Sequence, residues 1–74
     1  METRPDVLTA FGARLRALHK ARGMSQEALG LETGLEQPYV SDIERGTRNV
    51  SLRNLHAIAC ALGVTLAELF EGIE

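Results

Sequence analysis

Four glycines, Gly23, Gly34, Gly46 and Gly63, cut the chain into amphipathic segments of helical periodicity, each too short to be stable alone. From Asp6 to Arg22, Val7, Phe11, Leu15 and Leu18 recur at helical spacing while Arg14, Arg16 and Lys20 fall off that stripe, with Asp6 as N-cap. Ser25 caps a second segment whose first turn holds Gln26 and Glu27, where a negative charge suits the helix dipole. Leu35 and Glu36 lead into a third, which accepts Pro38 in its first turn because the missing amide hydrogen would be unpaired there; Val40 and Ile43 mark its buried side. After the polar loop Thr47-Arg48-Asn49-Val50, Ser51 caps a fourth with Leu52, Leu55, Ile58, Ala59 and Leu62 on one face. Thr65 followed by Glu68 is a capping-box pattern opening a fifth that carries Leu66, Leu69 and Phe70. The spacing predicts helices over about 6–22, 25–33, 37–45, 52–62 and 66–71 and no strand. Short connections make this an all-α, five-helix bundle, read as a single domain over residues 1–74.

Composition narrows the function. A chain of 74 residues builds a small core that self-association would help, and only Phe11, Phe70 and Tyr39 are aromatic, so Leu, Ile, Val and Ala must fill it. No apolar run approaches the roughly 20 residues of a membrane span, and Met1-Glu2-Thr3-Arg4-Pro5-Asp6 has no signal-peptide apolar region; a cytoplasmic protein, at work on the nucleoid of a bacterium or phage host, is expected. Cys60 is alone, so neither an internal disulfide nor a zinc ligand pair is available; it reads as a small apolar or half-buried side chain on a helix. No metal-binding spacing, Gly-rich phosphate loop or nucleophile elbow occurs, so neither metal nor cofactor is expected and the chain reads as a non-enzyme. The formal net charge of −2 is unusual for a nucleic-acid binder, but the cations are placed unevenly. Arg4, Arg14, Arg16, Lys20 and Arg22 precede, and Arg45, Arg48 and Arg53 follow, a segment holding only the acids Glu27, Glu32, Glu36, Asp42 and Glu44.

The stretch from Ser25 to Gly46 is a short helix, a tight turn at Gly34 and a second short helix, the helix-turn-helix layout. Packing of Ala28 and Leu29 on Val40 and Ile43 would set the angle at which the outer face of the second helix enters a major groove. Arg22-Gly23-Met24-Ser25-Gln26-Glu27-Ala28-Leu29, Tyr39-Val40-Ser41-Asp42-Ile43-Glu44-Arg45-Gly46, Asn49-Val50-Ser51-Leu52 and Ala61-Leu62-Gly63-Val64-Thr65-Leu66-Ala67-Glu68-Leu69-Phe70 extend the pattern well beyond that layout. With these strings the chain resembles the phage-repressor-like helix-turn-helix family over about residues 9–70 without a gap, and most resembles the stand-alone controller proteins of restriction-modification systems.

The resemblance implies a transcriptional regulator, activating and repressing, that binds a two-half-site DNA operator as a homodimer. It implies that Gln26, beside the cap Ser25, holds a phosphate at the start of the second helix, as free helix amides allow. It places Gln37 on the principal base-reading position, where an amide matches the adenine edge, and Tyr39 on the exposed face beside it. Pro38 departs from the family's polar residue and offers only apolar contact; Asp42, a turn on, can accept from cytosine N4 but repels phosphates, as does Glu36. His19 stands where the family commonly has an Arg paired with the Glu found here at Glu44, so His19 and Glu44 are expected to tie the first helix to the third. The family also implies a contact of Glu27 and Glu32 with the polymerase sigma subunit.

From the residues themselves, Arg45, Thr47, Arg48, Asn49 and Ser51 are candidate phosphate ligands, with Arg22, Lys20 and Arg14 as a second clamp. Val50, Val64, Leu66 and Phe70 are the candidate dimer interface, being more apolar side chain than one small bundle easily buries. His56 is read as a surface or interface residue. The same bundle could instead be a protein-binding module, an antitoxin or adaptor whose acidic segment meets a basic partner.

Overall fold

The computed structural model describes residues 6–74, so Arg4 and the N-terminal stretch before Asp6 lie outside the described residues. These contain five helices and no strand: α1 (Val7–Ala21), α2 (Gln26–Thr33), α3 (Gln37–Glu44), α4 (Leu52–Leu62) and α5 (Leu66–Leu69). The caps follow the sequence. Asp6 accepts from the Leu8 amide, Ser25 from Ala28, Ser51 from Asn54, and Thr65 and Glu68 form the reciprocal capping box. Glu36 precedes α3 without a side-chain cap bond, and Pro38 lies in the first turn. Gly34 ends α2 at φ +77°, the left-handed conformation that lets the chain reverse into α3. The last helix ends two residues before the expected 71, because Phe70 already closes it on Leu66 and Gly72 turns away at φ +82°.

Phe11, Leu15, Leu18, Leu29, Val40, Ile43, Ile58, Ala59, Leu62 and Leu69 form one core to which every helix contributes. Two residues of the expected apolar stripes are exposed, Val7 at 56% and Leu52 at 69%. Each heads its apolar stripe in a first turn, where periodicity sets direction without supplying a neighbour to cover the residue. Val50, Val64, Leu66 and Phe70, read from sequence as surplus apolar surface, are half-buried against the core, with the Phe70 ring centroid 5.6 Å from that of Phe11.

The approach of α1 to α3 depends on Gly12. A Cβ there would lie 2.4 Å from the Glu44 carbonyl oxygen and 2.6 Å from that of Ile43, so α1 rests directly on the backbone end of α3. Gly12→Ala should therefore lower stability in chemical denaturation by roughly 1–3 kcal/mol, overriding the ~1 kcal/mol helix-propensity gain. At the other end of the bundle, the Thr65 backbone amide and then its hydroxyl hold the Glu68 carboxyl below the ordinary glutamate range. A depressed folded value stabilises above the unfolded pKa of about 4.3 and ceases to do so as pH falls through the folded value. A carboxyl NMR titration should place the Glu68 midpoint below that of a model glutamate, and Thr65→Ala should move it back up.

Candidate nucleic-acid interface

Leu29 of α2 and Val40 and Ile43 of α3 are fully buried against one another and the core, which holds the two helices together. The opposite side of α3 begins with Gln37 and Pro38, both exposed, followed by half-buried Tyr39 and Asp42.

A chain of polar contacts reaches Gln37 from inside the protein. His19 and Glu44, whose side chains are only 5% and 6% exposed, meet at 2.6 Å between Nε2 and Oε2. On the other edge of the ring, Nδ1 donates to the Met24 carbonyl at 2.7 Å. Both ring nitrogens thus lie against oxygen atoms, the Met24 carbonyl on one side and the Glu44 carboxylate on the other. The second Glu44 oxygen accepts from Gln26 Nε2 at 3.2 Å, and Gln26 Oε1 accepts from Gln37 Nε2 at 3.5 Å. The expected tie between the first and third helices is present, and it continues through the start of α2 to the first residue of α3. Gln26 thus spans from Glu44 to Gln37, and exposed Gln37 has one N–H engaged, with its Oε1 and second N–H making no hydrogen bond among the described residues.

Asp42 is less free than its sequence position suggests. Arg45 pairs with it one turn along, and Arg48 Nε lies 3.8 Å from its other oxygen. Two of the candidate phosphate ligands therefore rest on a residue assigned to base reading. Tyr39 is not the open aromatic expected: the Arg48 guanidinium lies 5.0 Å from its ring centroid, and Asn54 Nδ2 donates to its hydroxyl at 3.2 Å. Asn54 was not legible as part of this surface. Its only sequence signal was its place three residues after the cap Ser51, in the first turn of α4.

The remaining candidates divide by what their hydrogens do. The hydroxyls of Ser25 and Ser51 accept from helix amides at 3.0 and 3.1 Å, leaving each O–H to donate outward. Thr47 donates its hydroxyl to the Asp42 carbonyl at 3.1 Å, so it stabilises the loop instead. Arg22, Lys20 and Asn49 are exposed. Arg14 leaves the predicted clamp, because it is half-buried and donates to the Glu68 carbonyl at 2.7 Å, bracing α1 against α5. Cys60 is exposed rather than half-buried, with His56 Nε2 3.6 Å from its sulfur. Among the described residues no group of three or more side chains could hold a metal ion, and no helix is long and apolar enough to cross a membrane.

Two short helices locked across a tight turn, with a braced amide at the exposed start of the second and cations on the loop behind it, make a helix-turn-helix domain. Residues 15–69 match the Helix-turn-helix family, and the chain belongs to it. It is similar to the control protein C.MunI of a Mycoplasma species, with 46% identity over 70 residues covering 93% of this chain and 95% of that protein. Among solved structures, the restriction-modification controller protein C.AhdI from Aeromonas hydrophila superposes with a TM-score of 0.83 at 51% identity, over 85% of this chain and 96% of that one. The controller protein C.Esp1396I, seen as a tetramer in complex with its natural 35 base-pair operator, superposes at 0.83 and 28% identity, over 95% of this chain and 92% of that one.

Removing one member of the buried pair should be costly. Glu44→Ala leaves a buried imidazole without its partner and frees Gln26, and is expected to lose about 3–5 kcal/mol in urea unfolding. Glu44→Gln, which keeps a hydrogen-bonding group for both neighbours, should lose clearly less.

Proposed function

We propose that this chain is a sequence-specific transcriptional regulator that binds a two-half-site DNA operator as a dimer, and that it controls a restriction-modification system by both activating and repressing. The observation that carries this reading is Gln37: exposed at the start of α3, held through Gln26 to a buried pair, with its Oε1 and second N–H unengaged among the described residues. Such an amide is complementary to adenine N6 and N7 in the major groove. In this reading Pro38 and Tyr39 lie against neighbouring bases, and Asp42 accepts from a cytosine amino group once its cations have moved to the DNA. Gln26 and Ser25 take a phosphate at the α2 N-terminus, and Arg22, Arg45, Arg48, Asn49 and Ser51 take flanking ones. Thr47 contributes by holding the loop.

Few cations per copy favour two copies acting together, since linking two modest affinities multiplies them. The outward edges of Val50, Val64, Leu66 and Phe70, with exposed Leu52 nearby in sequence, are the proposed dimer surface. Activation is assigned to Glu27 and Glu32 meeting the polymerase sigma subunit. The 86% exposure of Leu31, next to Glu32 in sequence, supports a protein contact there.

Fluorescence anisotropy on the DNA upstream of the chain's own gene, at two salt concentrations, tests the main claim. Affinity should fall steeply with salt, and Gln37→Ala should lose about 1–3 kcal/mol of discrimination at one base pair per half-site. Salt-insensitive behaviour, with no binding there or to selected random DNA, would overturn the reading. Sedimentation of Leu66→Glu should show monomer where the parent chain shows dimer.

A further inference from the structure

We infer that Asn54 is a positioning residue for DNA recognition, one that sets the Tyr39 hydroxyl as an outward hydrogen-bond donor; this rests on the DNA-binding reading above. A phenol oxygen carries one proton and can accept. Asn54 Nδ2 occupies an accepting side of Tyr39 Oη at 3.2 Å. The phenol proton must then lie elsewhere around the oxygen, away from Asn54.

Three further contacts keep that arrangement in register. The Ser51 hydroxyl accepts from the Asn54 backbone amide at 3.1 Å, which fixes Asn54 on the first turn of α4. The Arg48 guanidinium covers the Tyr39 ring at 5.0 Å, limiting rotation of the phenol out of its place. Arg48 is itself restrained by Asp42, 3.8 Å from its Nε. One residue from α4, one from the preceding loop and two from α3 therefore make a single unit, whose outward chemistry is a neutral O–H beside a cation. The complement on DNA is an acceptor: guanine O6, a purine N7 or thymine O4 on a base edge, or a phosphate oxygen. A cytosine amino group, a donor, is excluded.

The test compares operator affinity for the parent chain, Tyr39→Phe, Asn54→Asp and the double variant. Asp at 54 suits the first turn of a helix, so the fold is not at risk. An aspartate accepts and cannot donate, so it would draw the phenol proton inward. Tyr39→Phe should weaken binding by about three- to tenfold, as loss of one hydrogen bond does. Asn54→Asp should weaken it by at least as much, and by clearly less in the Tyr39→Phe background, where only the added charge acts. Equal effects of Asn54→Asp in both backgrounds would overturn the inference while leaving DNA binding by the parent chain intact. Absence of binding by the parent chain would overturn both. Repeating the comparison on operators with single base-pair changes distinguishes the acceptors. Loss of discrimination at one base pair on Tyr39→Phe identifies a base edge, and uniform weakening identifies a phosphate; each supports the donor assignment.

Discussion

The buried contact between His19 and Glu44 is the one on which the three helices of the binding unit converge. Burying two ionisable groups costs solvation that their mutual attraction does not automatically return. Here the cost is offset by filling nearly every remaining valence: Met24 takes the far ring proton and Gln26 the second carboxylate oxygen. Hydrophobic packing of Leu29, Val40 and Ile43 would tolerate small rotations of α3, because apolar contacts have little directional preference. A buried 2.6 Å contact between two polar side chains leaves less room for such rotation. Packing therefore holds the helices together and the polar pair narrows the range of their angle. Gly12 matters for the same reason, since α1 must lie against the backbone of α3 for His19 to reach Glu44.

The surface this frame presents differs from a general cationic grip. Its acids lie inside or beside α3, and its cations stand to either side, two of them already paired with Asp42. Gln37 and Tyr39 are both restrained before any ligand arrives, one by Gln26 and the other by Asn54 and Arg48. Restraint of this kind lowers the ordering cost of association, which suits a small domain with few charges to contribute.

Much of this was readable in the sequence because it rests on local chemistry. The caps at Ser25, Ser51 and Thr65, the glycine at the α2–α3 turn and the apolar faces of the helices are decided within a few residues of themselves. The His19–Glu44 tie came from family resemblance, not from periodicity. What stayed hidden depended on residues distant in sequence. Nothing near Arg14 announces the Glu68 carbonyl, nothing near Tyr39 announces Asn54, and nothing around Gly12 announces the end of α3. Leu52 and Val7 failed for the converse reason: each has the right phase and no partner at its end of the helix.

In the proposed reading, the pairing of Asp42 with Arg45 and Arg48 makes association with DNA an exchange rather than an addition. A phosphate gains these two cations only by displacing a carboxylate that already holds them, so each non-specific encounter returns less than the same arginines would give if unpaired. In that reading the carboxylate left behind has lost both cations, and a duplex with an amino group at the right place offers it a donor in return. Most stretches of a chromosome would therefore detain the protein briefly, and a chain of net charge −2 would reach its few proper sites without being sequestered along the way.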